Sequence, residues 1–187
     1  MMKDILIATH NVHKKEEIQQ ILSDYNVKSL TDYGIHDEIV EDGSSFSENA
    51  QLKAKYCFEK TGIPSIGDDS GLVVEALGGR PGIYSARYAG NHDFEKNIAK
   101  VLEEMEGISN RAAYFITVLC YYDEKGPQFF EGRVYGTLLN ENKGHKGFGY
   151  DPIFVPDGHS RTFAEMLPEE KNAISHRKKA LEKMMNV

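Results

Sequence analysis

Long apolar runs are missing from this chain. None approaches the roughly 20 residues that a bilayer-spanning helix needs, so no membrane partner is expected. The opening MMKDILIATHN carries one lysine and a short strand-like run. It lacks a signal peptide's apolar region and small-residue cleavage site. Cysteine is scarce as well: Cys57 and Cys120 are the only two in 187 residues, and neither lies in a CxxC pair. That excludes a disulfide framework and reads as two core thiols, so a cytoplasmic protein is expected. Basic residues are outnumbered 22 to 29, a net charge of −7. Such a balance argues against a protein that coats nucleic acid, which presents a basic face. An anionic small substrate is still admitted, since a local basic cluster and a divalent metal can hold phosphates on an acidic protein. There is no Walker A loop, no zinc-ligand spacing and no Ser-His-Asp set. No repeat or Pro/Gly/Ser-rich linker divides the chain, which is read as one domain over residues 1–187, built as two lobes.

The patterns that are present alternate between strand and helix. Ile5 to Thr9 is a short branched apolar run and predicts a buried strand. A helix is expected from His13 to Leu22, a second strand at VKSL, and a polar, acidic loop from Ile35 to Ser44. Ser45 with Glu48 three residues on is a capping box, opening a helix to about Thr61, with Gly62 at its C-terminus. Ile63 to Gly67 predicts a strand that stops at Ser70-Gly71, and Leu72 to Val74 another. Asp93 caps a helix through Met105, and AAYFITVLCYYD, apolar on both faces, predicts a central strand. The turn DEKGP joins it to a second long strand, GPQFFEGRVYGTLLN. A short strand at Ile153 to Val155 and a last helix over Ala173 to Met185 complete the chain. The expected fold is α/β: a long mixed sheet flanked by helices, in two lobes with the active-site cleft between them.

Several stretches carry candidate chemistry. In THNVHKKEE a strand gives way to a helix, whose N-terminal N–H groups attract anions. Thr9 and Asn11 add hydrogen-bonding side chains, and Lys14 can reach back to a phosphate; equally, Asn11 is a plain N-cap and Lys14 a solvated lysine. His10, His36 and His145 lack metal-ligand spacing and read as solvated. In GDDSGL, Asp68 and Asp69 repel each other, and a divalent ion would relieve that; a simple turn after a strand is the alternative. In an extended chain adjacent side chains take opposite faces, so both acids meet one ion only if the strand ends between them. Glu41 could complete such a site, Glu48 is either cap or site, and Lys53 either a surface lysine or a phosphate contact. Arg80 and Arg87 lie in a glycine-rich loop that either closes over polyphosphate or is a structured surface loop. GFGYDP sets Phe148 and Tyr150 among glycines, where either ring could stack on a base or pack in the core. His176 and Arg177 follow Ser175, as ligand donors or as a basic solvated face.

Each stretch is weak alone, but their order is not. THNVHKKEEI, VEDGSSFSENAQLKA, GDDSGLVVEALGGRPGIYSARYAG, GFGYDPIFVP and EEKNAISHRKKAL together resemble the inosine triphosphate pyrophosphatase family, from Ile5 to Leu181. The resemblance implies hydrolysis of inosine, deoxyinosine or xanthosine triphosphate to the monophosphate and pyrophosphate, with Mg²⁺ as cofactor and a homodimer as the assembly. It implies that the stretch Thr9, His10, Asn11, Val12, His13 and Lys14 holds the triphosphate with Lys53, and that Arg87 serves the same substrate. Glu41 and Asp69 would bind the metal, with Asp69 also accepting the proton of the attacking water. Ser70 would touch the nucleotide, while Phe148, Gly149, Tyr150, Asp151, Lys171, His176 and Arg177 would form the base and sugar pocket. The competing readings are a phosphohydrolase for modified pyrimidine or methylated nucleotides, and a nucleotide sensor without catalysis.

Overall fold

The computed structural model describes residues 2–186. Its elements in chain order are β1 (Lys3–Ile7), α1 (Val12–Ile21), β2 (Tyr25–Ser29), α2 (Phe46–Thr61), β3 (Ser65–Val74), α3 (Phe94–Glu104), β4 (Ala112–Asp123), β5 (Gly126–Leu138), β6 (Phe154–Pro156), α4 (Pro168–Ile174) and α5 (His176–Met185). The six strands form one sheet in the order β2-β1-β3-β4-β5-β6. β1 runs parallel to β2 and β3, and β5 antiparallel to β6, so the sheet is mixed as expected. β4 and β5 are joined by Glu124 and Lys125 alone, which only a hairpin allows.

Contacts divide the chain into two compact units. The first comprises Met1–Asp69, Thr117–Gly132 and Arg177–Val187; the second Ser70–Ile116 and Arg133–His176. The first is built on Ile7, Ile18, Leu22, Val27, Ile66, Leu119 and Leu181. The second has its own core of Leu72, Ile98, Met105, Phe115, Phe154, Phe163 and their neighbours.

The expected N-caps form at Asn11 and Ser45, but the Ser45–Glu48 capping box closes only in part, because Glu48 turns to Ser44 instead of the Ser45 N–H. Asn11 Oδ1 accepts from the N–H groups of His13 and Lys14 and opens α1. Ser45 accepts from the Glu48 N–H and opens α2, and Gly62, in the left-handed region at φ 69°, closes it. The Glu48 carboxylate is spent on the Ser44 N–H and hydroxyl, so Glu48 serves the helix entry.

Two expected boundaries are wrong. The strand does not stop at Ser70-Gly71: β3 runs unbroken from Ser65 to Val74, because its buried place beside β4 outweighs a local turn signal. The last helix is two helices, broken where Ser175 adopts an extended conformation (ψ 160°) with no glycine or proline to announce it.

Gly67 is fixed by a close approach. A Cβ there would lie 2.0 Å from the Ala50 carbonyl oxygen of α2. Contact this tight brings α2, with Lys53 one turn on, against β3 just before the paired acids. Gly67→Ala, with its Cβ driven into backbone, is therefore expected to cost more stability than Gly62→Ala, where a Cβ meets nothing within 4 Å and only the left-handed φ of 69° is strained, at about 1 kcal/mol. Denaturant midpoints check this; a smaller loss at Gly67 than at Gly62 would contradict it.

Candidate active site

In the first unit, β1 stands between β2 and β3. The chain leaves β1 through α1 towards β2 and returns through α2 to β3. The loops after β1 and β3 thus diverge, and such a switch point is where open α/β sheets bind ligands. Pairing of β1 with β3 covers only Leu6 with Ser65 and Ile7 with Ile66, and ends with the Ala8 N–H on the Ile66 carbonyl at 2.7 Å. Beyond that point the Asp68 carbonyl oxygen is taken by two ammonium groups, Lys53 Nζ at 2.5 Å and Lys14 Nζ at 3.3 Å. Two lysines from different helices therefore converge on one peptide oxygen.

The pleat of β3 separates the paired acids. Asp68 is fully buried, and its carboxylate accepts from Arg177 Nε at 2.8 Å and Lys14 Nζ at 3.0 Å. Arg177, itself fully buried, also pairs with Glu17 of α1. Asp69 faces Lys53, whose ammonium lies 3.9 Å from Asp69 Oδ1 and 2.5 Å from Glu41 Oε1. Asp69 Oδ2 is buried with no hydrogen-bond partner. Nearby on α2, Asn49 Oδ1 accepts from the Gly43 N–H at 2.9 Å. Burial pushes the Asp69 carboxyl above its ordinary value against the pull of Lys53 and Lys14; Glu41 adds to the push, and the buried side-chain amide of Asn49 pulls the carboxyl down. Burial lowers the Lys14 pKa; Asp68 opposes that, while Lys53 and Arg177 reinforce it.

The segment bearing Glu41 has no regular structure but is tied down along its length. His10 Nε2 bonds the Asp37 carbonyl at 2.8 Å, and the Tyr56 hydroxyl donates to Asp37 Oδ2 at 2.5 Å. His10 is exposed, as expected, and its ring also tethers this segment. Thr9 Oγ1 accepts from the Asn11 N–H at 3.0 Å, and Val12 is exposed. Because Asn11 Oδ1 occupies the His13 and Lys14 amides, the positive charge of this turn resides chiefly on the Lys14 ammonium, not on open backbone donors. Lys53 is buried (8% exposed), not a surface lysine.

In the second unit, Lys171 and Asp151 form a buried ion pair at 2.7 Å. Asp151 Oδ2 also accepts the Phe148 N–H at 3.1 Å, and the Lys171 ammonium lies 4.8 Å from the Phe148 ring centre. Gly147 makes this possible: φ is 71°, and a Cβ would sit 2.1 Å from Asp151 Oδ2. Gly149, at φ 60°, turns the chain between Phe148 and Tyr150. The buried Tyr150 donates to the Ser85 carbonyl at 2.7 Å, which places its ring in the core rather than on a ligand. His176 is buried and stacked on Phe115, with centroids 5.0 Å apart and planes at 16°. Ser70 is half-buried on β3, and Arg87 is exposed with its guanidinium over the Tyr84 ring at 5.2 Å.

The expected residues thus fall into two sets. Thr9, Lys14, Glu41, Lys53 and Asp69 gather in the first unit, and Phe148, Asp151, Lys171 and His176 in the second. Arg177 departs from its expected place: its side chain belongs to the first unit and is held by Asp68 and Glu17, not beside His176 as a second base donor. Sequence reading missed Glu17, Asn49 and Phe115. Glu17 and Lys14 share a helix face at i, i+3, the one local sign that the two act together.

The Ham1 family model matches residues 5–187. The chain belongs to the Ham1 family. It is 45% identical to the dITP/XTP pyrophosphatase of Thermoanaerobacter pseudethanolicus, with 97% of this chain and 94% of that protein covered. Against the dITP/XTP pyrophosphatase of Clostridium perfringens identity is 46%, covering 98% and 96%. Among solved structures, the Staphylococcus aureus Ham1 protein superposes with a TM-score of 0.88 at 38% identity, covering 98% of this chain and 97% of that one. The Coxiella burnetii HAM1 protein gives 0.88 at 41%, covering 99% and 98%.

The adjacent acids should respond oppositely to neutralisation. Ionising Asp69 costs the folded protein more than the unfolded chain. Its charge therefore subtracts from stability at neutral pH, and the penalty fades as pH falls towards the ordinary value of 3.8. Asp69→Asn is expected to raise the Tm of EDTA-treated protein at pH 7, by a margin that shrinks on acidification. Asp68→Asn strips a partner from buried Arg177 and Lys14 and should cost about 3–5 kcal/mol. Equal Tm shifts for the two variants would contradict this division.

Proposed function

We propose that this chain is a pyrophosphohydrolase of non-standard purine nucleoside triphosphates, converting inosine, deoxyinosine or xanthosine triphosphate to the monophosphate and pyrophosphate. The relatives named dITP/XTP pyrophosphatase support the substrate class. The observation that carries the reading is the convergence of the Lys14 and Lys53 ammonium groups beside the buried Asp69 carboxylate.

Mg²⁺ is the proposed cofactor, held by Glu41 and Asp69. The residues fit it: two carboxylates meet at one ammonium, and one buried carboxylate oxygen has no partner. Among the described residues no group of three or more His, Cys, Asp or Glu forms a closed metal cage. Mg²⁺ prefers one or two carboxylates, with water and substrate phosphate completing its shell. When bound, it would neutralise phosphate charge as a Lewis acid. The chain's own groups supply the rest. Lys14 and Lys53 hold the phosphates and stabilise the departing pyrophosphate. Water attacks the α-phosphorus, the bond to the bridging oxygen breaks, and the water's proton passes to Asp69.

For the base, Phe148 offers a stacking face and Lys171 and His176 carry donors for the 6-oxygen of hypoxanthine or xanthine. Adenine presents an NH₂ there, and an unpaired buried donor costs about 1–3 kcal/mol. Thr9, Asn11, Ser70 and Arg87 are proposed contacts to phosphate and sugar. Residence in the cytoplasm and assembly as a homodimer complete the reading. Two buried free thiols support the first. No helix among the described residues is long and apolar enough to cross a membrane.

The test is a panel of nucleoside triphosphates with product analysis, with and without EDTA. Inosine and xanthosine triphosphates should yield pyrophosphate, adenosine triphosphate should be spared, and EDTA should stop turnover. Asp69→Asn should lose about 10²–10⁴-fold in turnover, the scale of a lost proton acceptor. Release of inorganic phosphate, preference for another base, or wild-type turnover by a folded Asp69→Asn would overturn the reading.

A further inference from the structure

The reading above uses Asp69 but leaves its fully buried neighbour without a function. Four buried or half-buried charges of alternating sign form a chain through Asp68: Lys14, Asp68, Arg177 and Glu17. Lys14 meets the Asp68 carboxylate at 3.0 Å, Arg177 meets the same carboxylate at 2.8 Å, and Glu17 meets Arg177. Glu17 and Lys14 share α1 at i, i+3, so the chain of charges starts and ends on one helix. It is tied to β3 through Asp68 and to α5 through Arg177.

We propose that Asp68 is a positioning residue for triphosphate binding, acting through Lys14. It fixes that ammonium in place and is itself held by Arg177 and Glu17. A lysine side chain carries about 2 kcal/mol of rotamer entropy. An ammonium anchored before the ligand arrives loses less freedom on binding. The anchoring is double, because Lys14 Nζ also reaches the Asp68 carbonyl. Asp68 has no share in metal binding, since the pleat sends it away from Asp69 and Glu41 and its carboxylate is committed to two cations. The inference rests on the reading of Lys14 as a phosphate contact.

The sign of the effect separates positioning from plain electrostatics. Deleting an acid beside a polyphosphate should tighten binding by Coulomb's law alone, whereas losing the anchor of Lys14 should weaken it. The probe is α,β-methylene inosine triphosphate, whose α–β bridge cannot be hydrolysed, titrated calorimetrically at fixed Mg²⁺. Lys14→Ala is expected to weaken binding. Asp68→Asn should weaken it about tenfold, the scale of one charge-assisted hydrogen bond, but should add nothing in the Lys14→Ala background. Unchanged or tighter binding by folded Asp68→Asn overturns the inference, as does an equal loss with or without Lys14. If Lys14→Ala binds like wild type, the phosphate reading of Lys14 itself fails. Should Asp68→Asn not fold, Glu17→Gln decides. Weaker binding that disappears in the Lys14→Ala background supports the inference, and wild-type affinity overturns it.

Discussion

Two carboxylates on consecutive residues of a buried strand repel each other, and the first unit is arranged around relieving that repulsion. Because β3 continues through Asp68 and Asp69, its pleat points them to opposite faces, where each meets a different cation. Asp68 receives Arg177 and Lys14, and Asp69 receives Lys53 with Glu41 beyond it. A strand that ended between them would have sent both acids to one point. One continuous ladder therefore makes two environments out of two identical side chains. One carboxylate is closed off by ion pairs, and the other keeps an oxygen without a partner.

The environments differ in what they can do. A carboxylate locked between guanidinium and ammonium groups is a poor proton acceptor and a good anchor. A buried carboxylate raised above its ordinary value, with an ammonium 3.9 Å away and a second acid nearby, suits a cation and a proton. The same economy governs the second unit. There one carboxylate, Asp151, holds both the Lys171 ammonium and the backbone of Phe148, so a charge and an aromatic face are fixed together.

Much of this was legible in the residues because the signals were local. Asn11, Ser45, Gly62 and Asp93 mark helix ends with side chains or backbone that only those positions need. The hairpin through Glu124 and Lys125 follows from two long strands around a turn. The ordered motifs indicated the family and the membership of both residue sets. What failed was non-local. Ser70-Gly71 looks like a turn, but the neighbouring strand β4 keeps β3 extended through it. Ser175 breaks a helix without a breaker residue. Arg177 reads as a ligand donor beside His176, yet its partner Glu17 is 160 residues away and no pattern links them.

The central claim is that the paired acids divide labour, with the divalent cation on the Asp69 side alone. The most direct measurement is Mn²⁺ binding in the absence of nucleotide, followed by electron paramagnetic resonance on wild type, Asp69→Asn and Asp68→Asn. The account predicts that Asp69→Asn loses the bound-ion signal while folded Asp68→Asn keeps it. Loss of binding in Asp68→Asn with retention in Asp69→Asn would contradict it.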